Sequence, residues 1–157
     1  MGKKTGPNPT DRSKLGTKRS VVVEGQGVPL GLVTAGANEP DMTLFGETLA
    51  SVVVPRPEPT PEAAPNLCGD KGYDFAVCWA QARLLGYEPH IPARGEVDEE
   101  RPRHPEGRAR RWVVERTHSW INRFRKLLVR FEELDASYYA LLCFACAYIC
   151  LKRAKLF

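Results

Sequence analysis

The sequence predicts an α/β fold, and three stretches of the chain carry that prediction. Two β-rich runs, Arg19–Val23 and Val28–Val33, are separated by a short Gly-containing segment, which is typical of a β-hairpin. A strand, a helix and a strand follow one another between residues 66 and 92, an order that favours a βαβ unit with parallel strands. From residue 108 onward, apolar residues recur at helical spacing. With 157 residues, the chain is long enough for one domain with a hydrophobic core.

The amino-terminal part predicts an arm, a hairpin and a helix. Residues 1–18 are basic, contain several Gly and Pro and lack periodicity, so we expect an irregular arm there. Three consecutive valines in the first strand of the hairpin predict a strand that is covered on both faces. Asp41 is expected to cap a helix over Met42–Val52.

The middle of the chain predicts a connector and then the βαβ unit. Residues 55–65 contain five prolines, which is typical of a stiff, exposed connector inside a domain. Asn66–Gly69 and Glu88–Pro92 are the expected strands, and Phe75–Leu85 is the expected helix between them. Asp70 then lies at the carboxyl end of a strand, the edge at which open α/β sheets bind ligands. The residues expected to face inward on the helix are Val77, Ala80, Leu84 and Leu85.

Arg108–Glu133 is predicted to be one long helix with an apolar stripe, followed by a closing helix over Ala136–Lys155. The closing helix contains an apolar run of 14 residues, Tyr138–Leu151, which is shorter than the roughly 20 residues that span a bilayer. Its Cys143, Cys146 and Cys150 are expected in the core as reduced thiols, which indicates a cytosolic protein. The stripe of the long helix consists of Val113, Trp120, Phe124, Leu127 and Phe131, widened by Val114, Ile121 and Leu128.

Glu115 is the only acid between Glu106 and Glu132, and it lies among arginines. A carboxylate flanked by bases suits a metal-dependent phosphoryl-transfer enzyme, because the bases hold a polyanion and the carboxylate holds Mg²⁺. The alternative is a helical pair with Arg111, which contributes roughly 0.3 kcal/mol. Trp112 is expected to pack in the core rather than to stack on a base. His118 is expected to be satisfied or exposed rather than a general base.

The charge of the chain is segregated, although its net value is only +4. Residues 1–20 hold six Lys or Arg and one acid, and residues 101–130 hold ten bases and two acids. Nine of those ten bases are arginine, whose planar fork suits phosphate. This pattern favours a nucleic-acid partner over a merely solvated basic face.

Three blocks of sequence occur in order along nearly the whole chain: TGPNPTDRSKLGTKRSVVVEGQGVPLGLVTAGANEPD, LCGDKGYD and ARRWVVERTHSWINRFRKLLVRFEE. Together they resemble insertion-sequence transposases of the DDE class, in particular the insertion-sequence family numbered five, whose coding region is often split between two frames. The resemblance implies an RNase H-like fold, a mixed sheet flanked by helices. It also implies three acids that bind Mg²⁺ or Mn²⁺.

In this resemblance Asp70 matches the second acid, Glu115 the third, and Arg111 the Arg four residues before the third. The family tends to have Tyr where this chain has Arg108 and Lys where it has Asn122; Arg123 lies one place late for that Lys. The first acid belongs to a strand upstream of the first block, and because Met1 lies close to that block, the first strand is expected to be absent. Asp11 and Asp41 match other family positions. The residues expected to contact DNA are Arg110, Arg111, Arg116, Arg123, Arg125, Lys126 and Lys71.

The function implied by the resemblance is DNA transposition. The chain would be the C-terminal catalytic part, which cuts the element's ends and joins the 3′-OH to target DNA, and it would be inactive alone without an upstream Asp. Its expected partners are DNA, an upstream reading-frame product or fusion, and a second copy, in the cytoplasm on a bacterial nucleoid. The alternatives are an inactive DNA-binding remnant or regulator, and a small RNase H-like nuclease acting on RNA.

Overall fold

The computed structural model describes residues 4–55, 58–60, 63–95 and 112–155. These residues form a mixed α/β structure with two small sheets. The strands are β1 (Gly6–Pro7), β2 (Leu15–Val23), β3 (Pro29–Gly36), β4 (Asn66–Cys68) and β5 (Glu88–His90). The helices are α1 (Asp41–Ala50), α2 (Ala76–Leu84), α3 (Trp112–Ile121), α4 (Arg125–Leu128) and α5 (Asp135–Arg153), with a 3₁₀ turn at Lys71–Tyr73.

The predicted hairpin is confirmed, and its strands are longer than expected. β2 and β3 pair antiparallel from Thr17 opposite Gly36 to Val22 opposite Gly31. The carboxylate of Glu24 accepts the N–H groups of Gln26 and Val28 in the turn. Gly27 has a φ of +85°, a conformation that favours glycine.

The expectation of an irregular arm over residues 1–18 is wrong in two places. Gly6–Pro7 forms β1, which pairs with Leu15–Gly16 at the start of β2. This pairing depends on the turn between them, in which Arg12 and Ser13 adopt positive φ and Asn8 accepts backbone N–H groups. A turn that needs αL backbone at two non-Gly residues has no clear signal in the sequence.

The βαβ unit is confirmed as a parallel pair. β4 and β5 run parallel from Asn66 opposite Glu88 to Cys68 opposite His90, and α2 connects them. The predicted inward face of α2 is confirmed only for Leu85, which packs on the cluster around Phe45, and it is wrong for Val77, Ala80 and Leu84, which are exposed whereas small side chains are fully buried. These small residues allow α2 to approach α1, where Gly46 lies against Gln81. The buried residues are Cys78 and Ala82.

The structure has two separate sheets rather than one mixed sheet among the described residues. The order of the first sheet is β1-β2-β3, and that of the second is β4-β5. α1 packs against both, since Val22 of β2 and Leu67 of β4 meet Phe45 and Leu49 of α1 in one apolar cluster. Helix α1 begins at Asp41, so the capping position belongs to Pro40 rather than to Asp41. Pro55, 58–60 and 63–65 of the Pro-rich segment lie in no helix or strand.

The other face of the hairpin packs against α3, α4 and α5. Leu32 of β3 joins a buried cluster with Ile121, Leu127, Tyr138 and Leu142, and Val21 packs at its side. The hairpin is therefore covered on both faces, as its valine run predicted. We call this cluster, with its flanking side chains, the α5 core.

The prediction of one long helix over 108–133 is wrong beyond Ile121. Helix α3 ends there, the N–H groups of Arg123 and Phe124 donate to carbonyls three residues back, and α4 is only four residues long. The break lets both Phe124 and Leu127 reach the α5 core, while Phe131 and Leu128 of the predicted stripe are exposed. Residues 108–111 lie outside the described part of the chain.

Helix α5 closes the structure almost where it was predicted. Its cysteines are not all in the core: Cys146 is buried, Cys150 is half-buried and Cys143 is exposed. Positions 143, 146 and 150 lie within about 60° of one another along one flank of the buried face, and their exposure rises from Cys146, nearest the centre of that face, to Cys143, farthest from it. None of the helices in the described residues has the length and hydropathy of a membrane-spanning segment.

Candidate active site

Asp70 lies where the sequence placed it, just beyond the carboxyl end of β4. β4 ends at Cys68, the N–H of Gly69 donates to the carbonyl of His90, and the exposed Asp70 precedes the 3₁₀ turn. The backbone carbonyl of Asp70 accepts the N–H of Tyr73 at 2.9 Å. The parallel strands β4 and β5 both end at this edge, which is the expected position for a ligand site.

Arg94 braces the loop that carries Asp70, a role that the sequence did not reveal. Its Nε donates to the carbonyl of Lys71 and one Nη to that of Gly72, each at 2.8 Å. Its backbone N–H donates to Asp74 Oδ2 at 2.9 Å, and its guanidinium lies 4.1 Å from the centre of the Phe75 ring. A signal existed, because a base that follows β5 must lie at the same edge as residues that follow β4.

Tyr73 links this loop to the hairpin. Its ring lies 5.2 Å from that of Phe45 on α1, and its hydroxyl hydrogen-bonds with Ser20 on β2. Burial raises the pKa of Tyr73, and the nearby carboxylates of Asp41 and Asp70 act in the same direction. Tyr73 therefore stays a neutral phenol that fixes the Asp70 loop against β2 and α1.

Glu115 is exposed in the first turn of α3. The opposite face of this helix is fixed by Val113, Thr117 and Ile121, which are buried at intervals of four residues. The hydroxyl of Thr117 donates to the carbonyl of Gly27 at 2.6 Å, so the turn of the β-hairpin anchors the helix. Packing therefore directs the Glu115 side of α3 toward solvent.

Beside Glu115 runs a ladder of alternating aromatic rings and guanidinium groups. Arg116 lies 4.8 Å from the ring centre of Trp112 and 5.1 Å from that of Trp120, and Arg153 lies 5.6 Å from Trp120. Arg116 also donates to the carbonyl of Gln26. Trp112 is 56% exposed, so the expectation that it packs in the core is wrong; its partner is the Arg116 cation instead. Arg116, predicted to contact DNA, is occupied within the protein.

The other predicted phosphate contacts divide into exposed and undescribed residues. Lys71, Arg123, Arg125 and Lys126 are exposed, and Lys126 lies 4.0 Å from Glu132. Arg110 and Arg111 lie outside the described residues, as does the proposed pair between Arg111 and Glu115. The exposed bases are free to approach a polyanion without disturbing the fold.

Arg19 of β2 reaches Asn122, the position at which the resembling family tends to have Lys. Nη1 of Arg19 donates to the side-chain oxygen of Asn122 at 2.9 Å, and its Nε donates to the hydroxyl of Tyr138 at 2.7 Å. A further donor of Arg19 meets the carbonyl of Leu127. The contact was not predicted, because the two residues are 103 positions apart in the sequence, and Arg123, which was considered as a substitute for that Lys, is exposed.

His118 is half-buried one turn after Glu115. Burial lowers its pKa, Arg19 lowers it further, and only Glu115 opposes them. The imidazole is therefore neutral near pH 7, in keeping with a packed rather than an ionised histidine.

The donor set for a metal ion is incomplete in the part of the chain that the structure describes. No group of three or more His, Cys, Asp or Glu side chains is placed there to hold one. The two further acids weighed from the sequence form ion pairs elsewhere: Asp11 lies 3.5 Å from Lys14, and Asp41 lies 2.8 Å from Lys18. Asp70 and Glu115 alone do not fit a closed metal centre, which takes several carboxylates.

Comparisons with known proteins agree with the sequence blocks around Asp70 and Glu115. The family described as transposase DDE domain matches residues 2–150. A Burkholderia cepacia protein, named as the provisional transposase for insertion sequence element IS402, is 38% identical over an aligned length of 157 positions, and the alignment covers 96% of this chain and 72% of that protein. No solved structure matches. The chain therefore belongs to the family of transposase DDE domains.

Proposed function

We propose that this chain is the C-terminal catalytic part of a DDE transposase of the insertion-sequence family numbered five. The observation that carries the proposal is the placement of two exposed carboxylates, Asp70 at a strand end and Glu115 on a helix, within a chain of this family. Both positions match acids of the resembling transposases. The family implies a DNA substrate, and the proposed DNA is the element's ends and the target.

The proposed reaction has two phosphoryl transfers. Water attacks a phosphodiester at the element's end, and the P–O bond to the element's 3′ oxygen breaks, which frees a 3′-OH. That hydroxyl then attacks a target phosphodiester and loses its proton as the target's own 3′ oxygen leaves. The bound Mg²⁺ or Mn²⁺ would stabilise the charge on the attacking and leaving oxygens.

In this proposal Asp70 and Glu115 are two of the metal ligands, and the third acid comes from outside the described residues. The proposed source of that acid is an upstream segment, and on this proposal the isolated chain is expected to be inactive. Lys71, Arg123, Arg125 and Lys126 would hold phosphates, since all four are exposed. Arg110, Arg111 and Arg116 remain proposed contacts, and Arg116 also packs between Trp112 and Trp120.

We further propose that an RNase H-like sheet forms when another strand joins the two small sheets. Beyond Gly16 the described residues of β2 pair only with β3, and β4 pairs only with β5. The strand between them would carry the missing Asp, supplied by an upstream reading frame as a separate product or a fusion. Reading the DNA upstream of Met1 in three frames tests this point. The proposed location is the bacterial cytoplasm, on the nucleoid.

The second candidate is an inactive DNA-binding remnant or regulator of transposition. The observation in its favour is the lack of a group of three metal-binding side chains among the described residues. This candidate predicts salt-sensitive DNA binding that does not depend on divalent metal.

The test is strand transfer by the chain joined to its upstream frame, with Asp70→Asn and Glu115→Gln as variants. Loss of a metal ligand should reduce joining by at least about 100-fold, since even partners of metal ligands cost 10- to 100-fold. DNA binding, measured by fluorescence anisotropy, should change little. The control is Glu39→Gln, another exposed acid, which should join at the parental rate. Parental joining by Glu115→Gln would reject the catalytic proposal in favour of the remnant.

A further inference from the structure

Helix α5 is apolar on the side that the protein does not cover. One face is buried through Tyr138, Leu142, Ala145 and Ile149. No charged residue lies between Asp135 and Lys152, so the opposite face has no polar cover either. Phe144 on that face is 73% exposed. A helix that is apolar all round is normally buried, so this face is expected to meet a partner.

The exposed face has the spacing of a coiled-coil seam. Its six members are separated by alternating steps of three and four residues, which is the heptad pattern in which two positions per seven face a partner helix. One heptad position is alanine each time, at Ala140, Ala147 and Ala154, and all three are exposed. The other position is occupied by Ser137, Phe144 and Leu151, which are also exposed.

This alternation distinguishes between the two ways of pairing a helix with its own copy. In a parallel pair, identical residues would face each other, so that layers with two large side chains, such as Phe144 against Phe144, would alternate with layers of two small ones, such as Ala147 against Ala147. In an antiparallel pair with a two-fold axis midway between residues 144 and 147, Phe144 meets Ala147 of the partner subunit. Leu151 meets Ala140 of the partner subunit in the next layer. Each of these central layers then holds one large and one small side chain, as close packing requires, and the outermost layers pair Ser137 with the partner's Ala154.

The charges at the ends of α5 also favour the antiparallel pair. Acids lie at its amino-terminal end and bases at its carboxyl-terminal end. An antiparallel pair brings each basic end to the acidic end of the other helix and opposes the helix dipoles, whereas a parallel pair aligns like charges. The acids are Glu132, Glu133 and Asp135, of which Glu132 also lies 4.0 Å from Lys126 and Asp135 3.8 Å from Arg130, and the bases are Lys152, Arg153 and Lys155.

We propose that a second copy of this chain docks on the outer face of α5, antiparallel about a two-fold axis. Exposed Phe131 and Leu134, just before the helix, extend the apolar surface toward the area that a stable interface needs. This inference does not rest on the proposed catalytic function, because it concerns assembly without DNA or metal. Its failure would leave the roles of Asp70 and Glu115 untouched.

The first experiment is light scattering coupled to size-exclusion chromatography on the whole chain over a concentration series. The wild-type chain should be dimeric at micromolar concentration, and Phe144→Asp should weaken dimerisation by at least about 30-fold, as for a central interface residue. Leu84→Asp is the control, since Leu84 is 86% exposed on α2, away from this face. Circular dichroism checks that both variants remain folded.

The second experiment reads the orientation by disulfide cross-linking in a Cys143→Ser background. Ala140→Cys and Leu151→Cys chains should cross-link when mixed, and neither should cross-link with itself. Self-cross-linking of either chain would indicate a parallel pair and overturn the proposal. A monomeric wild type would also overturn it. So would a face that becomes protected only when the upstream segment is fused, because that segment would then be the occupant.

Discussion

The two proposed catalytic carboxylates are held in different ways. Glu115 belongs to a helix that is packed into the α5 core, where Thr117 and Ile121 are completely buried. Asp70 follows a strand of three residues with a single pairing neighbour, and the loop around it is held largely by hydrogen bonds from the exposed Arg94. Apolar packing thus positions one acid and polar bridges position the other.

This difference predicts that two halves of the molecule respond differently to change: the packed or rigid half, which is the α5 core with α3 and Glu115, and the half around Asp70. Packed helices are costly to displace, whereas loops held by exposed hydrogen bonds open with small free energies. The region around Asp70, residues 66–94, should therefore adjust more readily than α3 when DNA, metal or a further strand arrives.

The largest expected effect comes from breaking the α5 core at Tyr138. This side chain is 1% exposed, and the guanidinium groups of Arg19 and Arg130 lie 5.8 Å and 4.9 Å from its ring centre. Tyr138→Ala should lower the free energy of unfolding by about 3–5 kcal/mol, because it leaves a cavity. Urea unfolding measures the loss, and the whole chain, including residues 66–94, should be affected.

Two further variants test that interpretation. Tyr138→Phe keeps the ring but removes the hydroxyl that accepts from Arg19, and should cost about 1–3 kcal/mol. Leu84→Ala, at an exposed position, should change stability by no more than about 0.5 kcal/mol. If Tyr138→Ala were as mild as Leu84→Ala, the α5 core would not be the rigid half.

A smaller and local effect is expected from Arg94→Ala. The variant loses two hydrogen bonds to loop carbonyls and the contact with Phe75, worth together about 1 kcal/mol at an exposed site. Amide exchange of residues 69–75 should become about 5-fold faster, and that of α3 and α5 should stay the same. Hydrogen-exchange mass spectrometry measures both.

The matched control is Arg83→Ala. It removes a guanidinium that lies 5.6 Å from the Trp79 ring within the same βαβ unit, and this guanidinium is not one of the groups that bind the carbonyls of Lys71 and Gly72. It should leave exchange near Asp70 unchanged. Arg94→Lys should behave like Arg94→Ala, because an ammonium cannot bridge both carbonyls as the planar fork does. Faster exchange in α3 as well would mean that the two halves are not independent.

Much of the fold was predictable from local pattern. The hairpin, the parallel βαβ unit and the closing helix follow from β-rich runs, element order and a continuous apolar segment. The break after Ile121 was not predictable, because Phe124 and Leu127 continue the helical spacing through the turn. At the break, Arg19 donates hydrogen bonds to the Leu127 carbonyl and to the Asn122 side chain. Arg19 belongs to a strand about a hundred residues earlier in the sequence.

The candidate site was predictable in part and for a different reason. The position of Asp70 at a strand end follows from the sequence pattern. The interpretation of Glu115 as a metal ligand, rather than as the partner of Arg111 in a helical ion pair, depended on family resemblance and not on spacing. Arg94 was missed because it begins a charged stretch that has the composition of a solvated loop. The packing of Arg116 between Trp112 and Trp120 was not predicted, because such a residue cannot be distinguished by sequence from a purely exposed base.

The smallest expected effect concerns His118, which lies between the packed half and Glu115. Burial and Arg19 lower its pKa in the folded chain, whereas the unfolded chain keeps the ordinary value near 6.5. Between the two values the unfolded chain binds more protons, so this histidine's contribution to stability is present above about pH 6.5 and is lost as the pH falls below it. His118→Gln should flatten that part of the stability profile, measured by urea unfolding at several pH values. An NMR titration gives the pKa of His118 directly. A value below 6.5 would show that burial and Arg19 dominate, which assigns His118 to the packed half. A value above 6.5 would mean that the Glu115 carboxylate dominates and that His118 is less well packed than its neighbours Thr117 and Ile121.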